Sequence, residues 1–263
     1  MSTTRFPSLG PPRWPARLTR IALWVLGTGL LLVVLSGPSH RFGVTSSQLA
    51  LLTLAAGLLI VVIGTLFAII GLLAATAQRA PIPRSAAALG IIVGLCVTGY
   101  LLMWVGRARS APPIHEISTD LTDPPAFVAI TPLRSDAVNP PEYVSQVHGP
   151  GGSIIDVPRM QRLHYPDIQS LQLAVAPPEA IKSARRAAQE LGWKIVAYLP
   201  AEGRLEATDT TLFFGFKDDV VVRVRASDGG SRVDVRSKSR VGLGDVGTNA
   251  RQVRAFLRMM END

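Results

Sequence analysis

Three apolar runs without one charged residue fill most of the first 110 positions, and they leave this part of the chain few ways to fold. They are Ile21–Gly37, Leu49–Ala77 and Ser85–Gly106. A bilayer core is spanned by about 20 apolar residues in a helix. The first run has 17, and Arg17 and Arg20 extend it by snorkelling to the interface; the second has 29 and spans with tilt. Tyr100 and Trp104 stand near the end of the third, where amphipathic rings favour the interface. No A-x-A site follows the first run and two more runs come after it, so no cleaved signal peptide is expected. The reading is three transmembrane helices, about 21–37, 49–77 and 85–106, behind a tail at 1–20.

Charge divides at the same place. The chain carries a formal net charge of +8, yet residues 1–110 hold nine Arg and no acid, while 111–263 hold 18 Lys+Arg and all 19 Asp+Glu. The basic excess belongs to the apolar half, which argues for membrane lipids as partners and against nucleic acid. Arg5, Arg13, Arg17, Arg20, Arg79 and Arg84 flank one side of the runs, and Arg41, Arg107 and Arg109 the other. The positive-inside rule then places the N-terminus in the cytoplasm and residues 111–263 outside it, in a bacterium as a periplasmic domain on the inner membrane. The single cysteine, Cys96, excludes an internal disulfide and any Cys-based metal centre. No cofactor and no metal site are expected.

An ion or proton pathway needs ionisable groups inside the membrane, and the runs have none, so they read as an anchor. Small residues recur in them at helical intervals: Gly57, Gly64 and Gly71, and Ala86, Gly90 and Gly94. Such seams let helix backbones approach closely, within one bundle or between copies in an oligomer.

Residues 107–168 are broken by Pro112-Pro113, Pro124-Pro125, Pro140-Pro141 and Gly149–Gly152 and read as irregular, either a linker or a wrap on the domain C-terminal to them. Regular patterning begins at 169 and runs to 260. Leu171, Leu173 and Val175 alternate as a strand; Pro177 to Leu191 is a helix with Ala180, Ile181, Ala184, Ala187, Ala188 and Leu191 on its apolar face. Strands are predicted at Trp193–Leu199, Arg204–Thr208, Thr211–Phe216, Val220–Ala226 and Arg232–Ser239, with the third and fourth either separate or one bent strand. A last helix runs from Gly247 to Met260, burying Ala250, Val253, Leu257 and Met260. The fold expected is an α+β domain, an antiparallel sheet with two helices on one face in the order β-α-β(4–5)-α. That order resembles the helix-grip, or TATA-binding-protein-like, arrangement.

Asp228-Gly229 between alternating runs favours a two-residue hairpin turn. That register pairs Arg223 with Asp234, Val221 with Arg236 and Asp219 with Lys238. Val220, Val222, Val224, Val233 and Val235 then face the core. Asp219, Arg223, Arg225, Asp234, Arg236, Lys238 and Arg240 face away, as a solvated face laced with ion pairs or as a binding surface partly covered by the proline-rich segment.

Several strings agree in order with one bacterial family: Pro112-Pro113-Ile114-His115, Asp123-Pro124-Pro125, Tyr165-Pro166-Asp167, Leu191-Gly192-Trp193, Phe216-Lys217-Asp218-Asp219-Val220, and Asp234-Val235-Arg236-Ser237-Lys238-Ser239-Arg240-Val241-Gly242 followed by Asp245, Gly247 and Asn249-Ala250-Arg251. On these the chain resembles the domain of unknown function 1499 over about residues 111–260. The resemblance implies an envelope protein and supplies no activity.

The candidate chemistry gathers near the last strand. Arg236, Arg240 and Arg251 beside the final helix N-terminus suit an anionic headgroup or carboxylate, unless Asp245, Thr248 or Asn249 caps those amides internally. Gly242, Gly244 and Gly247 formally spell G-x-G-x-x-G, but the parallel βαβ context of a dinucleotide site is missing. The expected contact set is Arg223, Arg236, Ser237, Arg240, Asp245, Asn249 and Arg251. An enzyme alternative requires His115, Asp120 and Asp167 to converge. A third reading is a lipid-binding cavity between sheet and helices. The function expected is a membrane-anchored binding or adaptor module meeting an envelope protein or lipid.

Overall fold

The computed structural model describes residues 13–135 and 137–262, so Arg5 and the rest of 1–12 lie outside the described residues. The chain forms two compact units, 1–106 and 107–263.

The first unit contains α1 (Trp14–Arg41) and α2 (Ser47–Ala77), with most of α3 (Arg84–Ser110). All three are long and apolar enough to cross a membrane. They extend beyond the apolar runs because their end turns use polar residues: Pro15 opens α1, and Ser46 caps α2 by accepting the Leu49 N–H at 3.3 Å. The glycines of α2 set its approach to α1. A methyl on Gly57 would meet Gly29 O and Val33 N, both at 2.9 Å, and one on Gly64 would meet Leu26 N at 2.7 Å. The seam Gly57, Gly64 and Gly71 is thus closed within the chain. On α3 the buried small residues are Ala87, Gly90 and Gly94, with Ala86 exposed.

The second unit is an antiparallel sheet of six strands: β1 (Glu116–Ser118), β4 (Leu171–Leu173), β5 (Lys194–Leu199), β6 (Arg204–Thr210), β7 (Lys217–Ser227) and β8 (Gly230–Ser239). The order is β1-β8-β7-β6-β5, and β4 shares the β1 side of β8. α5 (Pro177–Glu190) and α6 (Thr248–Glu261) cover one face. Between them and the sheet lie Val220, Val222, Val224, Val233 and Val235, all buried, beneath Ala184, Ala188, Val253 and Phe256. Trp193, 5% exposed, stacks on Phe256 at 5.5 Å between ring centres. The space that would hold a lipid is filled by these side chains. The β7–β8 register is the one the turn residues dictate, Arg223 opposite Asp234 and Asp219 opposite Lys238.

Two expectations are corrected. Thr211–Phe216 is a loop, not a strand. It closes on itself, the Thr211 N–H donating to Phe216 O at 2.8 Å and the Phe216 N–H to Thr211 Oγ1 at 2.8 Å, with Gly215 at φ 72° making the reversal. Its apolar residues imitate a strand but pack on one another. Nor is 107–168 irregular throughout: it supplies β1, the hairpin β2 (Gln146–His148) with β3 (Ile154–Asp156), and α4 (Val157–His164). Gln161 of α4 acts like a short strand against β1, donating to Ser118 O at 2.6 Å and accepting the Ser118 N–H at 3.0 Å.

Candidate functional site

The face of the sheet opposite the helices carries the charges that alternation assigns to it, but it is not solvated. Residues 119–135 and 137–142 cross it as a strap. Asp219, Asp234 and Lys238 are wholly buried, and Arg236 is 1% exposed. Such burial is tolerable only with complete pairing. Glu116 takes both Arg236 Nε and Lys238 Nζ. The remaining donors of Arg236 go to Pro125 O at 3.0 Å and Pro141 O at 2.8 Å, and its guanidinium lies 4.7 Å from the Phe127 ring centre. Asp219 accepts from Arg134, from Thr208 Oγ1 at 2.7 Å and from two nitrogens of Arg240 at 2.9 and 3.0 Å. The Glu206 carboxylate is buried against the strap's own backbone, accepting N–H groups of Val128, Ala129 and Ile130 at 2.8 to 3.2 Å.

At the edge of the strap the pairing opens to solvent. Asp120, Asp123 and Asp234 face Arg223, Arg225 and Arg232. Arg225 and Asp123 are 53% and 60% exposed in their side chains, at 2.9 Å from each other. Burial acts to raise the Asp120 carboxyl. The N–H groups of Asp123 and Thr122, with Arg232 and Arg223, nevertheless hold it below its ordinary value. Two open clefts of about 310 and 300 Å³ flank this cluster. Asp120, Arg232, Gln161 and Tyr165 help line one; Asp123, Arg204, Arg223 and Arg225 help line the other.

On the helix side a second polar cluster fills the same end of the sheet as the α6 N-terminus. Ser237 Oγ lies 2.7 Å from Asn249 Oδ1 and 2.9 Å from Gln252 Oε1. Asn249 Nδ2 donates to His115 O at 2.9 Å and Ser239 Oγ at 3.0 Å; Gln252 Nε2 donates to Asp209 at 2.7 Å and Asp218 at 3.0 Å. Burial pushes the Asp218 carboxyl up to about 6. Asp245 accepts the Gly247 N–H at 2.9 Å and the Asn249 N–H at 2.6 Å, so an internal carboxylate occupies the amides that open α6.

The seven residues expected to form one contact surface therefore fall in separate places. Arg223 belongs to the rim between the clefts. Arg236 and Arg240 lie under the strap with their donors engaged inside the domain. Ser237 and Asn249 join the helix-side cluster, and Asp245 caps α6. Arg251 is exposed in the first turn of α6, donating to Val246 O at 3.2 Å and Thr248 Oγ1 at 2.8 Å. The glycine run forms this cap and no phosphate cradle. The residues of the enzyme alternative pair with different partners. His115 is 7% exposed with Nδ1 unpartnered, and burial, then Lys238, depresses its pKa. Asp120 sits in the rim, and Asp167 is paired with Arg254 at 2.5 and 2.6 Å. Asp123, Arg225 and Arg232 are the rim residues that sequence reasoning left out of the site, although the hairpin register already put Arg225 on that face. Among the described residues no three His, Cys, Asp or Glu side chains form a group that could hold a metal ion.

A family model described as Protein of unknown function (DUF1499) matches residues 116–260, more than half of the chain. The chain belongs to this family. The match begins at the first residue of β1 and ends within α6, so the DUF1499 region includes strap, sheet and both helices. No match was found among curated proteins or among solved structures.

Proposed function

We propose that this DUF1499 protein is a membrane-anchored binding module of a bacterial envelope. Its three helices hold the α+β domain outside the cytoplasm, on the inner membrane, where the domain meets an envelope partner without catalysing a reaction. One observation carries the choice of surface: both clefts border one ion cluster, Asp120, Asp123, Arg223, Arg225 and Arg232, in which Asp123, Arg225 and Arg232 reach solvent. Exposed, geometrically fixed charges flanked by shallow grooves suit recognition of a polar protein surface. The headgroup reading keeps support at Arg251 alone of its three arginines, since Arg236 and Arg240 are buried.

The test compares full-length wild type with Arg225→Glu, both purified from their own envelope in mild detergent, with bound proteins and lipids identified by mass spectrometry. Arg225 is half exposed and pairs with Asp123, itself exposed, so the variant should melt as wild type does. Retention of a stoichiometric protein by wild type and its loss from the variant are expected. Equal retention by both, or a bound lipid alone, overturns the rim as the contact surface.

A further inference from the structure

The end of the sheet where the chain enters the second unit is also its most apolar exposed end. The β6–β7 loop projects there, with Leu212 87% exposed and Phe213 43% exposed. Phe213 meets Phe214 edge-on at 5.0 Å, and Phe214 stacks on Phe216 at 5.0 Å, which stiffens the tip. Two more loops are bonded to its base. The Arg240 N–H donates to Lys217 O at 3.0 Å, and Arg240 O accepts the Val138 N–H at 2.9 Å. Val138 is 79% exposed, and Leu243, three residues beyond Arg240, is 62% exposed. Apolar side chains on three loops joined through the Arg240 backbone are not the scattered exposure of an ordinary surface.

The incoming chain is fixed at the same end. His115 O accepts the Ser239 N–H at 3.0 Å, and Ile114 O accepts the Asp245 N–H at 3.3 Å. The apolar run of α3 ends at Gly106, so the last helical turn, Arg107 to Ser110, and then Ala111 to Ile114 separate it from this anchor point. One helical turn and four extended residues together span about 20 Å at most. A lipid surface that holds α3 therefore lies within reach of these loops, and Arg251 in the first turn of α6 adds an exposed cation of the kind that pairs with anionic headgroups.

We propose that this end of the domain dips into the membrane interface, with Leu212, Phe213, Leu243 and Val138 entering the headgroup–acyl boundary. The occupant of the patch is the bilayer in which the chain's own helices sit, and the inference rests on those helices spanning it. Burying such side chains stabilises the contact in proportion to the apolar area removed from water.

The full-length protein in liposomes of mixed neutral and anionic lipid tests this with one environment-sensitive thiol probe at three sites. The native Cys96, exposed on α3, reports the anchor. Leu212→Cys and Asp228→Cys, each in a Cys96→Ala background, report the apolar loop and the far hairpin turn. The expected result is blue-shifted emission, quenched by nitroxide-labelled acyl chains, at Cys96 and at position 212, with water-like, unquenched emission at 228. Quenching at Cys96 but not at 212 overturns the loop contact and leaves the anchor standing. A blue shift at 212 that lipid nitroxides do not quench and that fades on dilution with unlabelled lipid means a second protein copy covers the patch, and also overturns it. No quenching at Cys96 overturns the anchor, and this inference with it.

Discussion

Arg236 fastens the strap to the sheet, donating to Pro125 O and Pro141 O and lying over the Phe127 ring while it pairs with Glu116. Its loss leaves Glu116 and the strap carbonyls buried and short of partners. Arg236→Ala should therefore cost about 3–5 kcal/mol of stability, read from denaturant unfolding of the domain, while Arg251→Ala stays within about 0.5 kcal/mol. Equal, small effects would show that the strap lifts off the sheet. Asp218 gives the pH dependence. Its folded value of about 6 lies above the ordinary carboxyl value of about 4, so the folded state holds the proton more tightly. Stability contributed by this group is highest below about pH 4 and falls as pH rises to about 6, then stays low. Asp218→Asn should remove that slope and raise stability at neutral pH by on the order of 2–3 kcal/mol. Thermal melts of the pair at acid and neutral pH decide it: parallel curves refute the assignment.

Elements were legible in the sequence in proportion to their length. α5 and α6 show a helical apolar period over 14 residues each, and β7 and β8 alternate over 11 and 10 around an Asp-Gly turn. β1, β2 and β3 have three residues each, too few for any period to register, whereas β4, equally short, shows through the alternation of Leu171, Leu173 and Val175. The strap has no period at all, and its cohesion comes from backbone N–H and carbonyl groups meeting buried charges far away in sequence. The β6–β7 loop misleads for the opposite reason, being apolar without being paired. Among the apolar helices the glycine spacing was informative, because it marks where α1 and α2 touch. Gly64→Leu should force the two apart, since even a Cβ would stand 2.7 Å from Leu26 N. Its expected signature is a lower melting temperature in detergent with α5 and α6 unaffected; an unchanged melt would mean the two helices do not pack through this glycine.

For the molecule as a whole, the split of charge foretells the division into two units, and it also sets the proposed orientation. With Arg13, Arg17, Arg20, Arg79 and Arg84 held in the cytoplasm, the Asp228-Gly229 turn lies on the other side of the membrane. A membrane-impermeant thiol reagent should label Asp228→Cys in spheroplasts of a Cys96→Ala strain without lysis. Labelling only after lysis would reverse the topology, and the rim would then have to find its partner in the cytoplasm.

The strap has one more consequence, which concerns time. Glu116 lies 120 residues ahead of Arg236 and 122 ahead of Lys238, so the acid leaves the ribosome long before its bases exist. Until β8 emerges, Glu116 has no opposing base and the edge strand β1 has no neighbour; Asp120 and Asp123 wait for Arg223 and Arg225 of β7, about 100 residues behind them. Contacts of such sequence separation are slow to close and come last. The domain can therefore mature only once β8 has been made, by which point the three apolar helices ahead of it already exist.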